Sequence, residues 1–167
     1  GFYVDSVESA SQTKCPQGSY NPNTGSITSD DCIDAEPGYY VPSLGSGAGA
    51  QVPCSAGTYQ SAYGMTECTL AEEGYFVNTT QSTSPTPCPA GTYQTNAGQV
   101  ICLNAGDGHF VAGTGQSDHT PCPIGTYQPD VGSTQCVDAS PGYFVEETGS
   151  TTQTGCPAGT YQPGEGA

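Results

Sequence analysis

Hydrophobic residues along this chain come in short bursts such as Thr-Tyr-Gln or Tyr-Phe-Val, each cut off within a few residues by Gly, Pro, Ser or Thr. No apolar stripe recurs at the helical period, and Gly or Pro interrupts nearly every window long enough to hold a helix. The bursts are rich in aromatic and β-branched residues, which favour a pleated, half-buried surface. They predict short β-strands of about four to five residues, each rising about 3.3 Å per residue, in a module about 15 Å across. Turn chemistry separates the bursts. Pro37–Gly38 and Pro141–Gly142 open two of them, and the glycine in each CPxGTY segment sits where a positive φ is expected.

The bursts repeat. CSAGTYQ at Cys54, CPAGTYQ at Cys88, CPIGTYQ at Cys122 and CPAGTYQ at Cys156 recur at a step of 34 residues, with a degenerate CPQGSYN at Cys15. A second motif interleaves: CIDAEPGYYV at Cys32, CTLAEEGYFV at Cys68, CLNAGDGHFV at Cys102 and CVDASPGYFV at Cys136. The expected organisation is a truncated repeat over 1–14, a longer, atypical repeat over 15–53, regular repeats over 54–87, 88–121 and 122–155, and the start of another over 156–167. Both ends then fall inside a repeat, as expected of an excerpt from a longer array.

Ordering one such repeat costs on the order of 50 kcal/mol of conformational entropy, which a dozen hydrophobic residues, several of them alanine, cannot offset alone. Neighbouring repeats must therefore bury one another. The aromatics expected to stack between them are Tyr20, Tyr39, Tyr59, Tyr75, Phe76, Tyr93, Phe110, Tyr127, Tyr143, Phe144 and Tyr161. The fold expected is all-β, small and disulfide-rich, with tandem hairpin repeats stacked into an elongated, solenoid-like rod.

Composition narrows the chemistry. Of 167 residues, 24 are Gly and 14 Pro, a content that without the repeats would read as disorder. Nine regularly spaced cysteines point to an oxidising compartment, hence an extracellular or cell-surface location. Two pairing phases fit the spacing. One joins Cys15–Cys32, Cys54–Cys68, Cys88–Cys102 and Cys122–Cys136, leaving Cys156 for a residue beyond the C-terminus. The other joins Cys32–Cys54, Cys68–Cys88, Cys102–Cys122 and Cys136–Cys156. Turn residues ending at Gly25, Gly64, Gly98 and Gly132 favour the first phase, because a hairpin bending there brings the flanking cysteines together.

With 16 acidic residues against a single basic one, Lys14, the net charge is −15. Such a chain cannot neutralise nucleic-acid phosphates or adhere to an anionic membrane surface. No segment approaches the roughly 20 apolar residues of a membrane span. Asp30 and Asp31, with Asp34 and Glu36, form the densest acidic cluster. Their spacing matches no calcium loop, so solvated surface is the expected reading and weak calcium bridging the competing one. The closest cysteines lie 14 apart, too far for the close ligand pairs of a zinc site. His109 stands where the other copies carry tyrosine, and His119 lies in a polar tail. No catalytic residues, metal or cofactor are expected, and the chain does not read as an enzyme. Asn78-Thr79-Thr80 is an N-glycosylation sequon on an expected exposed loop.

At CPxGTY followed by a cysteine eight residues on, the chain resembles the cysteine-rich repeats of tumour-necrosis-factor-receptor and ephrin-receptor-like surface proteins. The likeness spans about 15 of every 34 residues. It implies that the two cysteines flanking each such segment pair with each other, as in Cys54–Cys68. The extra cysteines of the receptor modules are missing, so receptor activity is not implied. The expected function is structural, the shaft of an extracellular fibre, filament, stalk or coat. The expected partners are neighbouring repeats and, laterally, other copies of the chain. The competing expectation is an adhesin or receptor ectodomain gripping a protein or glycan, with the atypical repeat around His109 and His119 as its candidate patch.

Overall fold

A computed structural model describes residues 1–5, 11–42 and 47–166; parts of the first, second and last expected repeats lie outside these. The described residues form antiparallel hairpins whose strands are only two residues long, with one 3-10 turn at Ser29–Asp31 and no α-helix. The protein is thus a small, nearly all-β, disulfide-rich chain. Two compact units divide it, Gly1–Ala71 with Val77–Pro85, and Glu72–Phe76 with Thr86–Ala167. In the first, Phe2–Tyr3 pairs with Thr13–Lys14, Ser19–Tyr20 with Ile33–Asp34, Tyr39–Tyr40 with Val52–Pro53, and Thr58–Tyr59 with Thr69–Leu70. In the second, Tyr75–Phe76 pairs with Thr86–Pro87, Thr92–Tyr93 with Leu103–Asn104, His109–Phe110 with Thr120–Pro121, Thr126–Tyr127 with Val137–Asp138, and Tyr143–Phe144 with Thr154–Gly155.

The strands are half the expected length because the chain turns away to pair with the next segment. A tight turn precedes each first strand. Tyr39 N donates to Glu36 O and Tyr143 N to Ser140 O, enclosing Pro37–Gly38 and Pro141–Gly142 with the glycine at positive φ. Proline followed by a positive-φ glycine is the signature of a type II turn. After the second strand residue, a buried side chain ends the hairpin and the backbone bonds to the following segment.

Aligning the hairpins shows a period of 17 residues, half the spacing of the cysteine motifs. The fully buried positions Cys54 and Ala71 in the first unit, and Cys88, Ala105, Cys122 and Ala139 in the second, follow one another at this step. Six residues after each anchor comes a second buried side chain: Gln60, Val77, Gln94, Val111, Gln128, Val145. CxxGTYQ and AxxGYFV are therefore two versions of one structural half-repeat, sharing a small anchor, a glycine, an aromatic and a buried plug.

Within each unit the same four backbone hydrogen bonds recur between successive half-repeats of either version, as between those anchored on Cys54 and Ala71 and those anchored on Cys122 and Ala139. Between those anchored on Cys88 and Ala105, Ala105 N donates to Gly91 O (2.9 Å), Gly115 N to Cys88 O (2.8 Å), Gly91 N to Val111 O (2.8 Å) and Gln94 N to Gln116 O (3.1 Å). Between Ala105 and Cys122 the corresponding bonds are Cys122 N to Gly108 O, Gly132 N to Ala105 O, Gly108 N to Gln128 O and Val111 N to Ser133 O, at 2.7–2.9 Å. The core is consequently built from Ala, Cys, Val and Gln rather than from aromatic rings. Most of the aromatics expected to stack are half-buried, while Tyr143 and Tyr161 are exposed. Several lie opposite a β-branched or aliphatic residue of their own hairpin, as Tyr93 does Leu103 and Tyr127 does Val137. Such cross-strand pairs are the ordinary unit of sheet stabilisation.

Two places in the joint favour glycine, one by close approach and one by backbone conformation. At Gly108 (φ +71) a Cβ would strike the carbonyl of Gly149. The second place is the turn that carries Gly98, Gly115, Gly132 and Gly149, all at positive φ; there the half-repeat anchored on Ala71 has Gln81 instead, at φ 62. A side chain in this region costs about 1–2 kcal/mol. Replacing Gln81 by Gly should therefore raise stability by up to about 1 kcal/mol, the gain being trimmed by the added freedom of the unfolded chain. Gly108→Ala should lower it by about 2 kcal/mol or more. Thermal and denaturant unfolding of the two variants should shift in opposite directions.

Candidate functional site

The chemistry-bearing residues of this chain serve mainly as staples across each half-repeat. In the CxxGTYQ version the staple is a disulfide: Cys15–Cys32, Cys54–Cys68, Cys88–Cys102 and Cys122–Cys136, with Cα–Cα distances of 5.7–5.8 Å. In the last three, one sulfur is fully buried and its partner half-exposed. No disulfide of the shifted phase is made, and Cys156 carries a free thiol. Its backbone N bonds Gly142 O, just as Cys122 N bonds Gly108 O.

In the AxxGYFV version a polar acceptor takes the place of the second cysteine. Ala139 lies four residues before its strand, as Cys122 does, and Gln153 immediately before its strand, as Cys136 does. Gln153 Oε1 accepts from Ser140 N at 2.7 Å, and Gln51 Oε1 accepts from Glu36 N at 2.7 Å. His119 Nδ1 accepts from Gly106 N at a longer 3.4 Å. The corresponding residue in the half-repeat anchored on Ala71 is Pro85. Half-repeats with and without a disulfide thus alternate along the chain, and three of those without one carry a hydrogen-bonding side chain at the staple position.

The histidine of this series also carries the ring contacts of its unit. His119 stacks on His109 with centroids 4.2 Å apart and lies against Tyr93 at 4.7 Å. Their bonding partners assign the tautomers. His109 Nδ1 lies 2.9 Å from the Asp107 carbonyl, which can only accept, so it carries the proton. His119 Nδ1 accepts from Gly106 N, so the neutral ring is protonated at Nε2. Only His109 Nε2 then offers a free lone pair. A shared metal would need one from each ring, and among the described residues no three His, Cys, Asp or Glu side chains converge.

The GTYQ glutamine is a functional position that sequence reasoning read only as the end of a strand. Gln94 is buried; its Nε2 donates to Ile101 O (2.9 Å) and its Oε1 accepts from Asn96 N (3.1 Å). Gln60 and Gln128 make the same pair of bonds with Glu67 O and Ala62 N, and with Gln135 O and Asp130 N. Each holds the loop inside a disulfide. The signal was present in the recurrence of Gln in all four CxxGTYQ copies, at the place where the other version has Val. Asp30 and Asp31 lie in the 3-10 turn, with Asp30 N bonded to Thr28 Oγ1, and Asn78 is exposed.

The sequence model of the tyrosine-protein kinase ephrin type A/B receptor-like family matches residues 74–118 and again 108–156. Residues 74–156 are ephrin-receptor-like cysteine-rich repeats. No curated protein matches the chain. Both family matches begin at the glycine of a GYF or GHF hairpin, Gly74 and Gly108. The two matches start 34 residues apart, the spacing of the cysteine motifs, and each contains half-repeats of both versions. The match and the disulfides are consistent with an extracellular repeat protein. No helix among the described residues is long and apolar enough to cross a membrane.

The equivalence of the two staples can be tested directly. In a Cys156→Ser background, Ala139→Cys with Gln153→Cys should form a fifth disulfide closing a loop of about 15 residues. It should add up to about 3 kcal/mol, with the bond located by non-reducing peptide mapping. Gln94→Ala should cost about 2–3 kcal/mol, because Ile101 O and Asn96 N lose a buried partner together. Their loop amides should exchange faster in hydrogen-exchange mass spectrometry while the Cys88–Cys102 bond persists.

Proposed function

We propose that this segment is a structural extracellular array, the shaft of a surface fibre, filament, stalk or coat, and that it performs no catalysis. The observation carrying this reading is that the same four-bond joint recurs between half-repeats whose staples and plugs differ. A joint made of backbone can be repeated without limit and leaves side chains free to vary. Repetition of one joint generates a quasi-one-dimensional rod. The paired disulfides and the near absence of basic residues suit a durable object in a protease-rich medium. The hydrogen-bonding side chains are taken up by turns and loops: Thr58, Thr92 and Thr126 each donate to a backbone carbonyl three residues earlier. The partners are neighbouring repeats and, laterally, other copies of the chain. At −15 such copies repel one another unless salt screens them.

An adhesin or receptor ectodomain is the second reading, favoured by the Tyr93–His119–His109 stack, a surface feature found in one repeat only. Negative-stain electron microscopy of the full-length protein separates rod from flexible chain. Stiff rods whose length scales with the number of half-repeats are expected. Freely jointed beads would overturn the fibre reading.

A further inference from the structure

Asn78 lies immediately before the turn where other half-repeats present Asn-Ala-Gly or Asp-Val-Gly. The turn is held from the inside. Gln81 N donates to Cys54 O (2.9 Å), Gln60 N donates to Ser82 O (3.1 Å), and Val77, immediately before Asn78, is a buried plug. Thr79 and Ser82 hydroxyls bond each other, and Ser82 Oγ also donates to Thr79 O. Asn78, Thr79 and Thr80 are all exposed, and the side chains of Asn78 and Thr80 make no hydrogen bond among the described residues. The two groups that an N-glycosylation sequon must present, the Asn amide and the Thr hydroxyl two residues on, are thus free, on a backbone anchored on its other side.

A second observation concerns charge. Residues 74–106 contain no charged side chain, the longest such stretch in a chain of net charge −15. Val100, Ile101 and Leu103 within it are exposed at 40%, 63% and 42%. Where carboxylates are present they keep the surface hydrated and self-repelling; residues 37–66 also lack them. The stretch 74–106 has no such protection and contains the one Asn-x-Ser/Thr sequence of the chain.

We propose that Asn78 carries an N-linked glycan, which hydrates its own uncharged, outward turn in place of carboxylates. The Asn78 amide nitrogen forms a bond to the anomeric carbon of an oligosaccharide carried on a lipid pyrophosphate. The anomeric carbon–oxygen bond breaks, the lipid pyrophosphate leaves with the electron pair, and the amide proton passes to a base of the transferase. This modification does not depend on the fibre reading.

The test is the full-length chain secreted from cultured eukaryotic cells, with Asn78→Gln, Thr80→Ala and Thr79→Ala variants, each checked for its disulfides by non-reducing peptide mapping. The intact mass should exceed that of the polypeptide by an oligosaccharide, which peptide-N-glycosidase removes, leaving Asp at position 78. Asn78→Gln and Thr80→Ala should lose the added mass, and Thr79→Ala, which preserves the sequon, should keep it. Recovery of the Asn78 peptide wholly unmodified from correctly bridged protein overturns the proposal, as does an enzyme-sensitive glycan that persists in Asn78→Gln.

Discussion

Everything in this structure depends on a backbone joint. Two residues of strand pairing per hairpin cannot hold a fold by themselves, since even longer isolated hairpins are marginal in water. The chain instead satisfies its buried backbone groups by passing them to the next half-repeat, through amides and carbonyls such as Ala105 N, Cys88 O, Gly91 N and Gln94 N. Buried peptide groups must find partners, and here the partners lie one half-repeat away. The side-chain features follow from the closeness this demands. The anchor must be as small as Ala or Cys, and the first glycine can carry no Cβ where it meets the next turn's carbonyl, as Gly91 meets Gly132 and Gly108 meets Gly149.

The staples become intelligible within that frame. A disulfide and a glutamine acceptor differ greatly in bond strength, yet each ties the start of a half-repeat to the strand that closes it. Cys122–Cys136 does this covalently, and Gln153 does it by capturing Ser140 N. Alternation means that every half-repeat without a disulfide adjoins one that has it. The plugs alternate in step: a buried Gln organises the loop inside each disulfide, and an apolar Val fills the same place in the other version. Neither version can be read as the working part and the other as a spacer.

Many hydrogen-bonding side chains are taken up by turns and loops, as Thr58, Thr92 and Thr126 are, and His119 spends its Nδ1 lone pair on Gly106 N. What varies between repeats is the outward turn, where Thr79-Thr80-Gln81, Asn96-Ala97-Gly98 and Glu147-Thr148-Gly149 replace one another.

The residues themselves determined the class: short strands, positive-φ glycines, cysteines too regular for chance and a strongly negative net charge. Those properties are local, set by one residue or by a spacing along the chain. The halving of the repeat was also written there, in the glycine and aromatic common to CxxGTYQ and AxxGYFV, but Cys against Ala and Gln against Val hide it from comparison by residue type. Only tertiary structure made them equivalent, because a buried site is defined by the space between backbones and not by the chemistry that fills it. The same reason moved the core from the aromatics to Ala, Cys, Val and Gln. Joints bonded through backbone bring half-repeats too close to admit rings between their anchors, a constraint that no single repeat, read alone, contains.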